Sequence, residues 1–483
     1  MRKDEDFEVV EPNPASIIES LRSIGYSLET AIADLIDNSL TAGAKHVCID
    51  SPYEGLDTKI FIFDDGCGMD EMTLKKAMKI GSCSPSQQRS AKDLGRFGLG
   101  LKTASFSQCK KLTVVSKQNG KVSVRAWDLD KIIETNSWFL IKNAPLEYLN
   151  KLEGVESGTL IVWEKLDRII STKDMKAESN FNNKKSILRN HLALTFHRFI
   201  ESGRLDIQIG GVSVRPWNPF LPYKNSSLKK ELPEIVLNGS VHVKAWVMPH
   251  RNYFTEAEYK DAGFRKGWTL MQGFYIYRAD RLLTAGGWLG LKPDGTTMLQ
   301  EHHYDLARIS VDITNKDDFD WDIDIKKSKA TPPDYLREVL GNIAKKIRKM
   351  AYETYSYRGT QKPLIRKKGR QYIPLWNSVS ERNGKLFYSI NIDHPYVQSI
   401  LESLDEINAK KVRQLIKLLA ETLPAESIGF EASKSNRKRM STPYETDPLE
   451  YDDIKSQLLS SLMNKKNMSK EEAEEQIEFI LNL

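Results

Sequence analysis

Two spacings of apolar residues alternate over residues 1 to about 170, one helical and one extended, and they predict an α/β part. Between Leu28 and Thr41, the positions Leu28, Ile32, Leu35, Ile36 and Ser39 fall on one helical face. Thr30, Asp34, Asp37, Asn38 and Thr41 fall on the other. A continuous apolar run from Ile60 to Phe63 predicts a buried strand that ends at Asp64. From about 185, a helix-like run, KSILRNHLALTFHRFI, precedes two alternating segments with Gly210-Gly211 and Asn238-Gly239 at their centres. Both segments read as β-hairpins. A strand in MQGFYIYRADRLL and the ISVDIT segment continue an α+β second domain to about 330, where Pro332-Pro333 ends the pattern.

Beyond the proline pair the pattern predicts a Lys- and Arg-rich helix over 334 to 354, a basic loop, and a hairpin around Asn383-Gly384. The last stretches are helical. Ser469 to Glu472 has capping-box spacing, with Ala473, Ile477 and Ile480 on one following face. Between them EASKSNRKRMSTPYETDP, polar and Pro-containing, predicts a mobile linker near 431–448.

Length and composition add bounds. With 483 residues, 40% of them hydrophobic, and a mean hydropathy of -0.47, the chain can pack two or three domains. No run of about 18 apolar residues is present, and the start, MRKDEDFEVVEPNP, is charged and then Pro-rich, so the expected compartment is the cytoplasm with no membrane partner. Cys48, Cys67, Cys83 and Cys109 form no CxxC pair and read as packed, reduced thiols. The net charge of +6 is too small to argue nucleic-acid binding by itself. Its distribution says more: basic clusters stand at Lys326, Lys327 and Lys329, at Lys345 to Lys349, at Arg366, Lys367, Lys368 and Arg370, and at Lys434 to Arg439. Solvated faces would carry the same pattern.

The chemistry concentrates in the first third. Asp34 and Asn38 stand at i and i+4, stacked on one face; phosphate hydrolysis needs a base and an oxygen ligand for Mg²⁺, which this pair could provide, and a solvated polar face would carry the same residues. Asp64, at the end of a buried strand and followed by Gly66 and Gly68, can accept a hydrogen bond from an exocyclic amine such as that of adenine. The loop Gly95 to Gly100 is neither a P-loop, because Leu101 intervenes before Lys102, nor a dinucleotide loop, because the preceding SCSPSQQRSAKD is polar. It leads into an apolar helix, LGLKTASFS, so phosphate on the helix N-terminus with Lys102 as an added cation is expected.

These segments resemble the GHKL ATPases, the superfamily of gyrase B, the large heat-shock chaperones, histidine kinases and MutL. DLIDN is similar to their N box, Asp64 to Gly68 to their DxGxG motif, Gly95 to Gly100 to their third motif, and Gly158-Thr159 to their GT motif. AIADLIDNS, FDDGCGM, FGLGLKTAS and GFYIYRADRLL look most like MORC and MutL ATPases and their bacterial relatives, over roughly residues 15 to 335.

The resemblance implies an α+β chain: a Bergerat-type α/β sandwich over 1–175, a ribosomal-protein-S5-like transducer over 176–335, and a mainly helical region over 336–483. It also implies ATP and Mg²⁺ as ligands. By position, Asp64 would read the adenine amine, supported through water by Thr159; Asn38 would hold Mg²⁺; Gly98, Gly100 and Lys102 would bind phosphates. Asp37, Gly66, Gly68, Met69, Gly95, Phe97, Leu99 and Thr103 would complete the nucleotide site, and Ser82 to Asp93 would form its lid.

Asp34 would be the general base, where many relatives carry a Glu that is longer by about 1.5 Å. Three readings follow: the helix sits closer, Asp37 or a second water helps, or hydrolysis is slow. Slow but real hydrolysis is the expectation. A transducer lysine would neutralise the γ-phosphate, with Lys329 first and Lys327 close behind.

Proteins of this type imply an ATP-gated homodimeric clamp, with residues before Ser27 as an exchanged arm. Duplex DNA would bind through the basic clusters after 325, in a salt-dependent and sequence-independent manner. No DQHA-type nuclease motif is present, and His302, His303 and His394 read as structural, so any cutting would belong to a partner; a nuclease or helicase partner protein in a restriction or phage-defence setting is the expectation. The alternatives are a chaperone-like ATPase or an ATP-binding scaffold without DNA activity. A histidine kinase is disfavoured, because only about 30 residues precede the N box.

Overall fold

The computed structural model describes residues 13–81, 100–171, 174–224, 228–314, 316–317, 320–324, 327, 330–356, 375–380, 386–423, 448–466 and 468–481. Gly95, Phe97, Gly98, Leu99, the 82–93 stretch, Lys329, the basic clusters at 366–370 and 434–439, and nearly all of the 431–448 linker lie outside the described residues. The chain divides into two compact units, Met1–Tyr352 and Glu353–Leu483.

The first unit begins with helices α1 (Pro14–Arg22) and α2 (Leu28–Thr41), each started by a side-chain cap, from Asn13 and Ser27. Strands β1 (His46–Asp50), β2 (Ile60–Asp64), β3 (Lys111–Gln118), β4 (Lys121–Asp128) and β5 (Gly158–Glu164) follow, with α3 (Glu71–Met78), α4 (Gly100–Phe106), α5 (Leu129–Thr135) and α6 (Leu146–Asn150) between them. After α7 (Ala177–Thr195) and α8 (His197–Glu201) come β6 (Asp206–Ile209) and β7 (Val212–Ser213).

These strands form one seven-stranded sheet in the order β4-β3-β5-β2-β1-β6-β7, antiparallel except for the β1–β6 pair. The period of two divides its faces. Ile60 and Ile62 join the large core under α1, α2, α4 and α7, while Phe61 packs with Tyr148 and Leu152 on the other side. The hairpin at Gly210-Gly211 therefore completes the first sheet rather than opening a second domain, since β6 runs alongside β1 from His46↔Asp206 onward.

A second, five-stranded sheet follows. It comprises β8 (Lys230–Leu237), β9 (Val241–Val247), β10 (Gly273–Arg278), β11 (Arg281–Ala285) and β12 (Ala307–Ile313), ordered β11-β10-β12-β9-β8. Asn238 and Gly239 have φ of +50° and +72°, the left-handed pair that a tight β8–β9 hairpin needs. The segment expected to give one strand gives two, β10 and β11, because Ala279 and Asp280 take the same left-handed turn between them. Helices α9 (Glu256–Ala262), α10 (Gly267–Met271) and α11 (Asp334–Ser356) accompany this sheet; α11 supplies Leu336, Leu340, Ala344 and Ile347 to its core. The short pair β13 (Asp322–Ile323) and β14 (Ala330–Thr331) flanks the turn that carries Lys327.

The unit from Glu353 contains the antiparallel pair β15 (Trp376–Ser380) and β16 (Leu386–Ile390), helices α12 (Pro395–Ser403) and α13 (Glu406–Glu421), and the helices Pro448–Lys466 and Lys470–Leu481. Ser469 and Glu472 exchange capping hydrogen bonds at 3.2 and 3.1 Å, and Ala473 and Ile477 are buried. His394 caps α12 by accepting from the Tyr396 amide. Among the described residues no helix is long and apolar enough to cross a membrane. Of the cysteines, Cys109 is buried as expected, but Cys67 is exposed because it sits in the turn between Gly66 and Gly68.

Candidate functional site

Helix α2 does not present a solvated polar face. Asp34 and Asp37 are 2% and 0% exposed, and Asn38 is the exposed member of the DLIDN segment. Asp34 Oδ2 accepts the Tyr26 hydroxyl at 2.8 Å, and its Oδ1 stands 3.2 Å from the Lys327 ammonium. Asp37 takes Lys327 Nζ at 2.7 Å on one oxygen and Arg281 Nε at 3.2 Å on the other. Burial pushes the Asp34 carboxyl above its ordinary range, Lys327 opposes the shift, and Asp37 adds to it. Burial, then the Asp34 charge, also pushes the Tyr26 phenol up, so Tyr26 remains a donor.

Asp64 ends β2 at a place where the sheet meets α2. It is 6% exposed, its Oδ2 accepts from Ser39 at 2.9 Å, and its Oδ1 accepts from the Gly66 amide at 3.0 Å. Burial raises its pKa, and the Ser39, Gly66 and Thr159 bonds pull it back. Thr159 lies directly across the β2–β5 ladder from Asp64, with its hydroxyl 2.9 Å from Ser116 Oγ, which also accepts the Met69 amide. Gly68 is forced: its φ is +64°, and a Cβ there would stand 1.9 Å from the Lys117 carbonyl oxygen. Asp65 fixes the neighbouring turn by accepting from the Lys45 and His46 amides.

The sequence-derived residues divide accordingly. Asp34, Asp37 and Lys327 converge, Asp64, Gly66, Gly68, Met69 and Thr159 form a second group at the end of β2, and Ser39 on α2 links the groups. Gly100 opens α4 beside Asp34, with a Cβ built on it 3.6 Å from Asp34 Oδ2. Lys102 is 2% exposed and donates to the Ala77 carbonyl at 2.8 Å, and Thr103 is fully buried. Asp37, with cations on both oxygens and no exposure, is committed to protein partners.

The basic surface after 325 is also reduced. Lys327 is buried on the carboxylates, Lys345 pairs with Asp294, and Arg348 lies over the Tyr304 ring at 3.8 Å. Lys346 and Lys349 stay exposed on α11. Helix α1 packs Ile18 into the first core and ties Arg22 to Asp167 and the Cys109 carbonyl, so residues 14–22 are not a free arm.

Three contributors went unread in the sequence. Arg281 follows a turn dipeptide whose partner strand gives no hint of Asp37, and Tyr26 precedes the helix cap without a motif of its own. Ser39 had a signal: it was the polar residue on the apolar face of α2.

Residues 26–159 match the model of a family described as histidine kinase-, DNA gyrase B- and HSP90-like ATPase. The match supports the GHKL family. It runs from Tyr26 to Thr159 and so takes in the carboxylates of α2, Asp64 and the β5 threonine, and it supports ATP binding by this segment. Members of this family are ATPases by description, and Arg281 and Lys327 lie beyond the matched residues. No curated protein matches the chain.

Proposed function

We propose that the chain binds Mg²⁺-ATP on its GHKL segment, hydrolyses it slowly, and uses it to gate a homodimeric clamp of MORC and MutL type on duplex DNA. The observation that carries this reading is the Lys327 ammonium, delivered from the second sheet's side of the unit to the two α2 carboxylates. A cation at that place can neutralise charge on a transferred phosphoryl group, and it links the nucleotide site to residues outside the matched segment.

The remaining roles follow from the chemistry of the donors. Asp64 accepts the adenine amine, with its orientation set by Ser39 and Gly66. Asp34 takes the proton of the attacking water; its raised pKa makes it a stronger base than a solvated Asp. Asn38, exposed on α2 and carrying an amide oxygen of the hard type that Mg²⁺ takes, would hold the ion, which would supply Lewis-acid polarisation of the phosphate oxygens. Lys329 stays the alternative to Lys327, and Gly95 to Gly100 the phosphate-binding segment; Lys102 would join it only on leaving the Ala77 carbonyl, and the buried Thr103 would support it from within α4. The second sheet is read as the S5-like transducer, and a nuclease partner would supply any cutting.

ATPase rate with and without duplex DNA across a salt series tests the reading. Stimulation that fades with salt is expected. ATP turnover without stimulation or retention of DNA would instead favour a chaperone-like ATPase or scaffold. Native mass should double with a non-hydrolysable ATP analogue, and an unchanged monomer removes the clamp.

A further inference from the structure

Arg281 begins β11 and is 3% exposed. Its guanidinium has three partners on three segments: Nε donates to Asp37 Oδ1 at 3.2 Å, and Nη1 donates to the Leu282 carbonyl at 2.9 Å and the Lys327 carbonyl at 2.7 Å. A planar fork held in this way has no alternative arrangement that keeps all of these bonds. Lys327 differs. Its backbone is left-handed, with φ of +50°, a conformation disfavoured for a residue with a Cβ and so dependent on what holds the turn. The turn is held by its amide, which donates to the Asp324 carbonyl at 3.0 Å, and by its carbonyl, which accepts from Arg281. Its ammonium is a single point charge on a flexible stem, shared between Asp37 and Asp34.

The charges balance as two carboxylates against two cations. The nearby His191 adds none, because burial and then Arg281 push its imidazolium down to about 3. If Lys327 moved away without Arg281 in place, both buried carboxylates would be left without a counter-charge, which is strongly unfavourable. With Arg281 in place, Asp37 stays neutralised and only Asp34 loses its cation.

We propose that Arg281 is the positioning residue for Lys327: it fixes the turn that carries the lysine and stays on Asp37 as permanent counter-ion, so that Lys327 can exchange Asp34 for a terminal phosphoryl group. The exchange step rests on the ATP reading of this site; the positioning of Lys327 does not.

Two variants of the full chain separate the parts, Arg281→Lys and Arg281→Met. In the nucleotide-free protein, labelling of Lys327 by an amine-reactive acetyl ester is followed by mass spectrometry against the exposed Lys346. Arg281→Lys keeps the charge on Asp37 and should melt close to wild type, yet a lone ammonium does not span Asp37 and the Lys327 carbonyl. Labelling of Lys327 should therefore rise about fivefold or more as the turn opens. Its kcat for ATP should fall about tenfold or more while ADP affinity stays within about threefold.

Arg281→Met should show the same changes at lower thermal stability. Wild-type labelling and kcat in Arg281→Lys overturn the proposal and leave the ATP reading standing. Raised labelling with unchanged kcat overturns the exchange step alone. A wild-type chain without ATP turnover overturns the ATP reading, while the labelling result still decides the role of Arg281.

Discussion

Lys327 and Asp37 are 290 positions apart in the chain and 2.7 Å apart in the fold. Both are nearly or fully shielded from water, at 9% and 0% exposure, so their attraction is little screened. That ion pair joins α2 to a turn that the family match does not reach.

Asp37→Asn should destabilise the first unit by about 3 kcal/mol or more, because Arg281 and Lys327 would face one remaining carboxylate in a buried site. Urea denaturation of the nucleotide-free chain measures it. A loss under about 1 kcal/mol would mean that the cluster relaxes into water.

Lys327→Met separates binding from turnover. ADP affinity should stay within about threefold, since Asp64 and Thr159 lie in a different group, while the ATPase kcat should fall about a hundredfold. Full turnover in this variant would pass the role to Lys329.

Asp34→Asn tests the base. Its kcat should drop about a hundredfold or more, because an amide does not accept the water's proton. Retention of the wild-type rate removes Asp34 from that role.

Asp64→Asn should weaken ADP binding about tenfold to a hundredfold, measured calorimetrically. The wild-type affinity should decline on acidification from a pH above the ordinary carboxylate range, because burial raises the Asp64 pKa and only the ionised group accepts at both oxygens. The nucleotide-free stability carries the opposite sign. A raised folded pKa means that the carboxyl's contribution is present at low pH and lost as pH rises through the folded pKa, so the wild-type minus Asp64→Asn stability should shrink between the ordinary and the raised value. A pH-independent difference contradicts the buried-carboxylate account.

Lys346→Glu with Lys349→Glu should weaken DNA retention and reduce the slope of log affinity against log salt by about 0.9 for each DNA phosphate that these lysines no longer neutralise. An unchanged slope removes α11 from any DNA surface.

Much of both units was legible because local rules point the same way as the fold. The apolar run at Ile60 to Phe63 is a strand buried on both faces, Asn238-Gly239 and Gly210-Gly211 are two-residue turns, and Ser469 and Glu472 cap a helix. The two-faced period of α2 was legible as well, but not the environment of its polar face. Periodicity says which residues share a side; it does not say what covers that side.

DLIDN inside α2, FDDGCGM at the end of β2 and the threonine that opens β5 could be named from the sequence as candidates for an ATP-type site, through the order of the motifs and their family resemblance. Tertiary structure alone decided that Asp37 serves Arg281 and Lys327, that Lys102 is turned onto the Ala77 carbonyl, and that Ser39 holds Asp64. The reason is physical. A buried charge is tolerable only with a partner at hydrogen-bond distance, and such partners come from whichever strand or turn the packing brings near, at separations on which no local period acts.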